Sequence, residues 1–313
     1  MSAKSEQLEQ KLNGEGTEDE VCASCDIAAV DDIKLKDCVG GCDLVKYCSD
    51  SCQVDHREQH EKECNKRRIE MHDKQLFTQP DISYHGECPL CFLPLPIDPR
   101  KSTLMGCCSK LICKGCDYVN KKREVEQGLE LRCAFCREPS AKSGEETNKR
   151  LMERIKKNDP VAMCQMGKKR RDKGDYETAF EYFTKAAELG HVAAHFCLGD
   201  MYYHGEGVEQ DKKKGVWHME QAAIGGHPDA RVILAVYEEE NNRPDRAAKH
   251  VIIAANLGHD SSLKVIKDLF VHGIVCKEDY AAALRAHQAA ADATKSAERQ
   301  KAEKQDRLLG YFV

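Results

Sequence analysis

The 313-residue sequence sets 48 lysines and arginines against 53 aspartates and glutamates, a net charge of -5, with a mean hydropathy of -0.63. No apolar run approaches the roughly 18 residues of a membrane-spanning helix, and the polar opening has no apolar core of a secretory signal. Charges of both signs are interspersed, so the one-sided basic face of a nucleic-acid binder is not expected either.

Residues 1–20 are polar, contain glycine and lack apolar periodicity, which predicts disorder. Of the 18 cysteines, the dense series begins at Cys22 and ends at Cys136. In a chain expected to stay in the reducing cytoplasm or nucleus, that clustering points to metal rather than disulfides. The first group is Cys22-Ala-Ser-Cys25, Cys38-Val-Gly-Gly-Cys42, Cys48-Ser-Asp-Ser-Cys52 and His60-Glu-Lys-Glu-Cys64. Four pairs of soft or imidazole ligands suit two tetrahedral zinc ions. The last pair, four residues apart, shares one face of a helix, and Gly40 and Gly41 ease a tight loop. His56, one turn before His60, competes with it as a ligand.

This pattern, with Tyr47-Cys48 and the His-x3-Cys close, resembles a MYND zinc finger over residues 21–64. The resemblance implies one zinc on Cys22, Cys25, Cys48 and Cys52 and another on Cys38, Cys42, His60 and Cys64, the family spacing favouring His60 over His56. It also implies peptide binding. Gln53 matches one residue with which such fingers grip proline-rich segments, but Arg57 stands where the family has tryptophan. Residues 65–84 read as a charged helical connector that ends at Gln79-Pro80.

The second group spans residues 85–139: Cys88-Pro-Leu-Cys91, Cys107-Cys108, Cys113-Lys-Gly-Cys116 and Cys133-Ala-Phe-Cys136. Adjacent Cys107 and Cys108 can share one ion only through a backbone kink. The order of pairs resembles a RING finger, in the all-cysteine form of the ubiquitin ligase of the Not deadenylase complex, which also opens Cys-Pro-Leu-Cys. The resemblance implies a cross-brace, with Cys88, Cys91, Cys113 and Cys116 on one zinc and Cys107, Cys108, Cys133 and Cys136 on the other. It further implies that an E2 enzyme contacts Leu90 and Phe135, and that Arg137 bridges E2 and ubiquitin. The segment 117–130 predicts a helix stopped by Gly128, with Asp117 placing an acid in the E2 groove.

Residues 140–157 read as a linker, because 140–150 lack large apolar groups. From 158 to 293 one phrase recurs, as Lys185-Ala-Ala-Glu-Leu-Gly190-His191, Gln221-Ala-Ala-Ile-Gly-Gly226-His227 and Ile253-Ala-Ala-Asn-Leu-Gly258-His259, with a decayed copy at His287-Gln-Ala-Ala-Ala291. Small residues let each helix pair stack on the next. With the Gly205-Glu-Gly207-Val208 loop, the phrase resembles Sel1-like repeats, relatives of tetratricopeptide repeats, which implies a protein-binding scaffold. The recurrent histidines read as contacts to helix C-terminal carbonyls, Trp217 as inter-helix core, and Cys164, Cys197 and Cys276 as buried free thiols. Residues 294–313 read as a charged helix whose apolar end docks back or frays.

The expected architecture is therefore multidomain, two small zinc-stabilised cross-brace modules followed by an all-α helical-repeat solenoid. No phosphate loop, nucleophile elbow or His-Glu-x-x-His motif is present, and saturated zinc sites leave no open coordination position. No residue is assigned a catalytic role and no small-molecule substrate is expected. The function implied is a zinc-dependent protein-interaction protein, either a RING-type ubiquitin ligase in which finger and repeats recruit substrate or a non-catalytic scaffold. Its partners are an E2 and substrate, or the subunits of a complex. Chelation is expected to unfold the zinc half and spare the repeats.

Overall fold

A computed structural model describes residues 21–25 and 34–308; the expected disorder of 1–20 and the terminal apolar stretch past Leu308 lie outside the described residues. Two compact units divide the chain between Gln75 and Leu76.

In the first unit, strands β1 (Lys36–Asp37) and β2 (Lys46–Tyr47) pair antiparallel, with Lys36 opposite Tyr47. The loop between them cannot carry a side chain at Gly40, where a Cβ would lie 2.5 Å from Cys64 Sγ. Gly41 takes a φ of 68°. Helix α1 (Asp50–Leu76) then runs unbroken for 27 residues. The ligand-bearing turn and the charged connector are thus one helix, since nothing between His60 and Leu76 breaks it. Residues 77–84, expected to continue the helical connector, are non-helical.

The second unit opens with that segment. Leu76 is fully buried among Met219, Ala222, Ala223 and Leu234. Arg231, wholly buried, donates to the Leu76 and Ala223 carbonyls. Tyr84 N–H donates to the Gly226 carbonyl at 3.2 Å. Strands β3 (Ser102–Met105) and β4 (Lys110–Cys113) form an antiparallel hairpin, Ser102 opposite Cys113 and Met105 opposite Lys110. Helix α2 (Lys114–Glu126) begins three residues before the expected start, because Cys113 Sγ caps it by accepting from Cys116 N–H at 3.4 Å. Gly128, with φ 63°, follows its end.

The region expected to be a linker contains helix α3 (Gly144–Ile155). Ser143 Oγ accepts from Glu146 N–H and the Glu146 carboxylate accepts from Lys142 N–H, a reciprocal cap that starts a helix before any apolar residue is reached. Leu151 then buries against Ala162 and Met166.

Four helix pairs follow: α4 (Pro160–Arg171) with α5 (Tyr176–Glu188), α6 (Val192–His204) with α7 (Lys212–Ile224), α8 (Pro228–Glu240) with α9 (Pro244–Asn256), and α10 (Asp260–Val271) with α11 (Lys277–Ala293). The recurrent phrase is a helix stop. Gly190, Gly226 and Gly258 adopt left-handed φ, and the following histidine's main-chain N–H bonds back to Ala186, Ala222 or Ala254. Each histidine thus meets a helix C-terminal carbonyl as expected, through its main-chain N–H, and its imidazole is left to other contacts. His227 lies between Tyr84 and Phe196, stacked at 4.3 Å from each.

Two further expectations fail. Trp217 is 51% exposed at the surface, edge-on to His195 and His218, rather than core. Cys276 is exposed and caps α11, accepting from Asp279 N–H, whereas Cys164 and Cys197 are buried. The final described helix, α12 (Ala297–Leu308), packs along α2.

Candidate metal centres

Each pair of cysteines with two residues between them folds into a knuckle whose backbone N–H groups point at sulfur. Phe135 and Cys136 N–H both donate to Cys133 Sγ at 3.4 Å, and the chain leaves through Arg137 at φ 64°. Phe92 leaves the first knuckle the same way at φ 57°. The adjacent Cys107 and Cys108 sit in the β3–β4 turn. There Cys108 and Ser109 N–H converge on the Met105 carbonyl, and Ser109, at φ 55°, supplies the kink that adjacency requires.

The described residues form four quartets: Cys22, Cys25, Cys48, Cys52; Cys38, Cys42, His60, Cys64; Cys88, Cys91, Cys113, Cys116; and Cys107, Cys108, Cys133, Cys136. Within each, the ligand atoms lie no more than 4.8 Å apart. Sulfur–sulfur separations are 3.5 Å for Cys25–Cys48, 3.9 Å for Cys38–Cys64, 3.8 Å for Cys91–Cys113 and 3.3 Å for Cys107–Cys136. Two thiolates on one tetrahedral zinc should lie about 3.8 Å apart. The donor sets are all cysteine in three quartets and cysteine with a single histidine in the other, and with these separations they fit zinc. In both modules the first pair joins the third and the second joins the fourth.

His60 Nε2 sits 3.1 Å from Cys42 Sγ. His56 does not join the quartet; its Nδ1 meets Tyr47 Oη at 3.1 Å, and its ring stacks on His60.

Sulfurs held this close polarise one another. Burial, then hydrogen bonding with Cys42 and Cys38, pushes Cys64 up to about 12. Against the cost of its burial, the N–H groups of Cys113, Leu90 and Cys91 pull Cys88 down to about 7. Four such groups can all be thiolates only with a cation among them, the charge that a bound zinc ion would supply.

Around the second module, Leu90 is 36% exposed and Phe135 is 40% exposed. Lys110 Nζ lies 5.8 Å from the centre of the Phe135 ring. Arg137 is held from behind. Its guanidinium donates to Glu124 Oε1 at 2.6 Å and Asn120 Oδ1 at 2.7 Å, and Arg132 N–H also donates to Glu124. Asp117 is buried, accepting from Lys121 Nζ at 2.7 Å and Thr103 Oγ1 at 3.2 Å. It therefore presents no free acid to the surface, contrary to expectation.

Arg299 on α12 had no signal in the sequence. Its guanidinium donates to the Pro94 and Thr294 carbonyls at 2.7 Å, to the Leu93 carbonyl at 3.2 Å and to Cys91 Sγ at 3.5 Å. Gly115 makes room for it, since a Cβ there would lie 2.7 Å from Arg299 N. A cation donating to a zinc-bound thiolate offsets charge on a site whose four sulfurs outweigh the metal.

Comparison with known proteins places two of these parts. Residues 22–64 match the MYND finger family, and residues 160–191 and 192–227 each match the Sel1 repeat. Among solved structures, a Sel1 repeat protein from Oxalobacter formigenes is similar at 19% identity over 57% of this chain and 72% of that one, with a TM-score of 0.42. A protective antigen of uropathogenic Escherichia coli strains, displaying an SLR fold, is similar at 29% identity over 47% of this chain and 33% of that one, with a TM-score of 0.39. The chain is thus a zinc-binding protein-interaction adaptor, with small cysteine-rich modules followed by helical repeats.

Proposed function

We propose that this adaptor is a RING-type ubiquitin ligase, acting in the cytoplasm or nucleus. Its second zinc module would position an E2–ubiquitin thioester, and its finger and repeats would recruit substrate. The observation that carries the reading is the interleaved pairing of Cys88–Cys136, which sets Leu90 and Phe135 as exposed apolar residues on two zinc knuckles. Such a ligase forms no covalent bond to ubiquitin itself; it accelerates transfer by holding the thioester in a reactive orientation. Arg137, next to the last ligand, would bridge E2 and ubiquitin with its planar fork.

One observation favours a second reading, a scaffold without transfer activity: the Arg137 guanidinium is engaged by Glu124 and Asn120. In vitro ubiquitination with a panel of E2 enzymes separates the two. The ligase reading expects Leu90→Ala, Phe135→Ala and Arg137→Ala each to slow discharge by about tenfold or more, the loss of roughly one interface hot spot. All three variants should keep wild-type zinc content. Zinc-loaded wild-type protein that discharges no E2 would leave the scaffold.

A further inference from the structure

The first unit carries a groove of about 470 Å³ between the Cys38–Gly40 loop and helix α1. Its apolar lips are two aliphatic side chains left in water, Val39 at 86% exposure and Val54 at 67%. The loop is pinned against Cys64, where Gly40 leaves no space for a side chain, so the groove is a built feature of the finger.

Its charge is one-sided in what remains unpaired. Arg57 and Arg68 both line it. Eleven residues apart on one helix, they share a face about 16 Å apart along the axis. Among the described residues neither guanidinium meets a carboxylate, whereas neighbouring Arg67, outside the groove, is tied to Asp43 by two hydrogen bonds. Of the two acids that line it among the described residues, Asp50 is neutralised by Lys36 at 2.8 Å, which leaves Glu61. Two free planar forks flanking an apolar slot suit carboxylates at both ends of an aliphatic side chain.

We propose that this groove binds a short extended acidic peptide. An aliphatic residue sits between Val39 and Val54, and aspartate or glutamate two residues before it and two residues after it, which the alternation of an extended chain puts on the same face about 13 Å apart, reach Arg57 and Arg68. The proposal rests on the adaptor reading of the finger and is independent of whether the second module transfers ubiquitin.

The test is fluorescence anisotropy with the zinc-loaded full chain and three labelled peptides: one with leucine flanked by two glutamates at that spacing, its glutamine counterpart, and a proline-rich peptide. The acidic peptide should bind saturably, about tenfold or more tighter than its glutamine twin, with affinity falling as salt rises. Arg57→Gln and Arg68→Gln should each weaken it about five- to tenfold with zinc content unchanged, while Arg67→Gln leaves it intact. Arg57→Glu should invert the preference toward a lysine-containing peptide, a gain that a misfolded variant could not show. Equal binding of the acidic and glutamine peptides, tighter binding of the proline-rich one, or no saturable binding by fully zinc-loaded protein would each overturn the proposal. Those outcomes leave the E2 assay untouched, so the two readings fail separately.

Discussion

His227 shows how one side chain ties a segment to the repeats. It is buried between Tyr84 and Phe196, with His85, His259 and Asp229 also in range of its charge. Burial holds its pKa down at about 3, and burial likewise holds His250 at about 3 and His191 at about 4. In the unfolded chain these imidazoles titrate near 6.5. Between the two values the unfolded state binds more protons, so stability rises with pH. The contribution is complete above about 6.5 and is lost as pH falls toward the folded values. At pH 5 each imidazole should cost about 1 to 2 kcal/mol. The melting temperature of the zinc-loaded chain should therefore drop between pH 7 and pH 5. His227→Phe, which keeps the stack, should shrink that drop; an unchanged drop would mean the imidazole is not the titrating group.

The ligand types were legible in the spacing of cysteines, whereas their interleaving and the choice of His60 over His56 came from the family resemblances. The repeat phrase was legible as a helix stop, but not the inward turn of His227, which depends on Tyr84, far away in the chain. Trp217 misled because a tryptophan with Tyr202 and Tyr203 nearby reads as inter-helix core.

At the level of elements, what the sequence hid were helices and contacts without local apolar signals. Helix α3 starts on a polar cap and reaches its first buried residue only at Leu151. Helix α12 is mostly charged, and its docking depends on Arg299 meeting Cys91, Leu93 and Pro94 about two hundred residues earlier. That clamp ties a zinc site to the C-terminal helix. Arg299→Met removes all four donated bonds while keeping an aliphatic stem. It should speed release of one zinc in four to a chelator and expose α12 to limited proteolysis. Release kinetics and a cleavage pattern identical to wild type would show that the guanidinium carries no part of the site's stability.

For the molecule as a whole, the division of labour differs from a zinc half and an independent helical half. Leu76 and Tyr84, held by Arg231 and Gly226 of the repeats, and Arg299 of α12, held by Leu93 and Pro94 of the second zinc module, join that module and the helices into one compact unit. Removing zinc from Cys88–Cys136 should therefore loosen repeat helices as well, because metal supplies the folding energy of the loops they grip.

The account stands on fifteen thiols and one imidazole gathered into four metal-binding quartets. Elemental analysis of reduced, freshly purified protein, with helix content followed as a chelator is added, tests this most directly. Four zinc ions per chain, with loss of repeat helicity as the last are removed, is the predicted result. Two ions or fewer, or a full helical signal in metal-free protein, would contradict it.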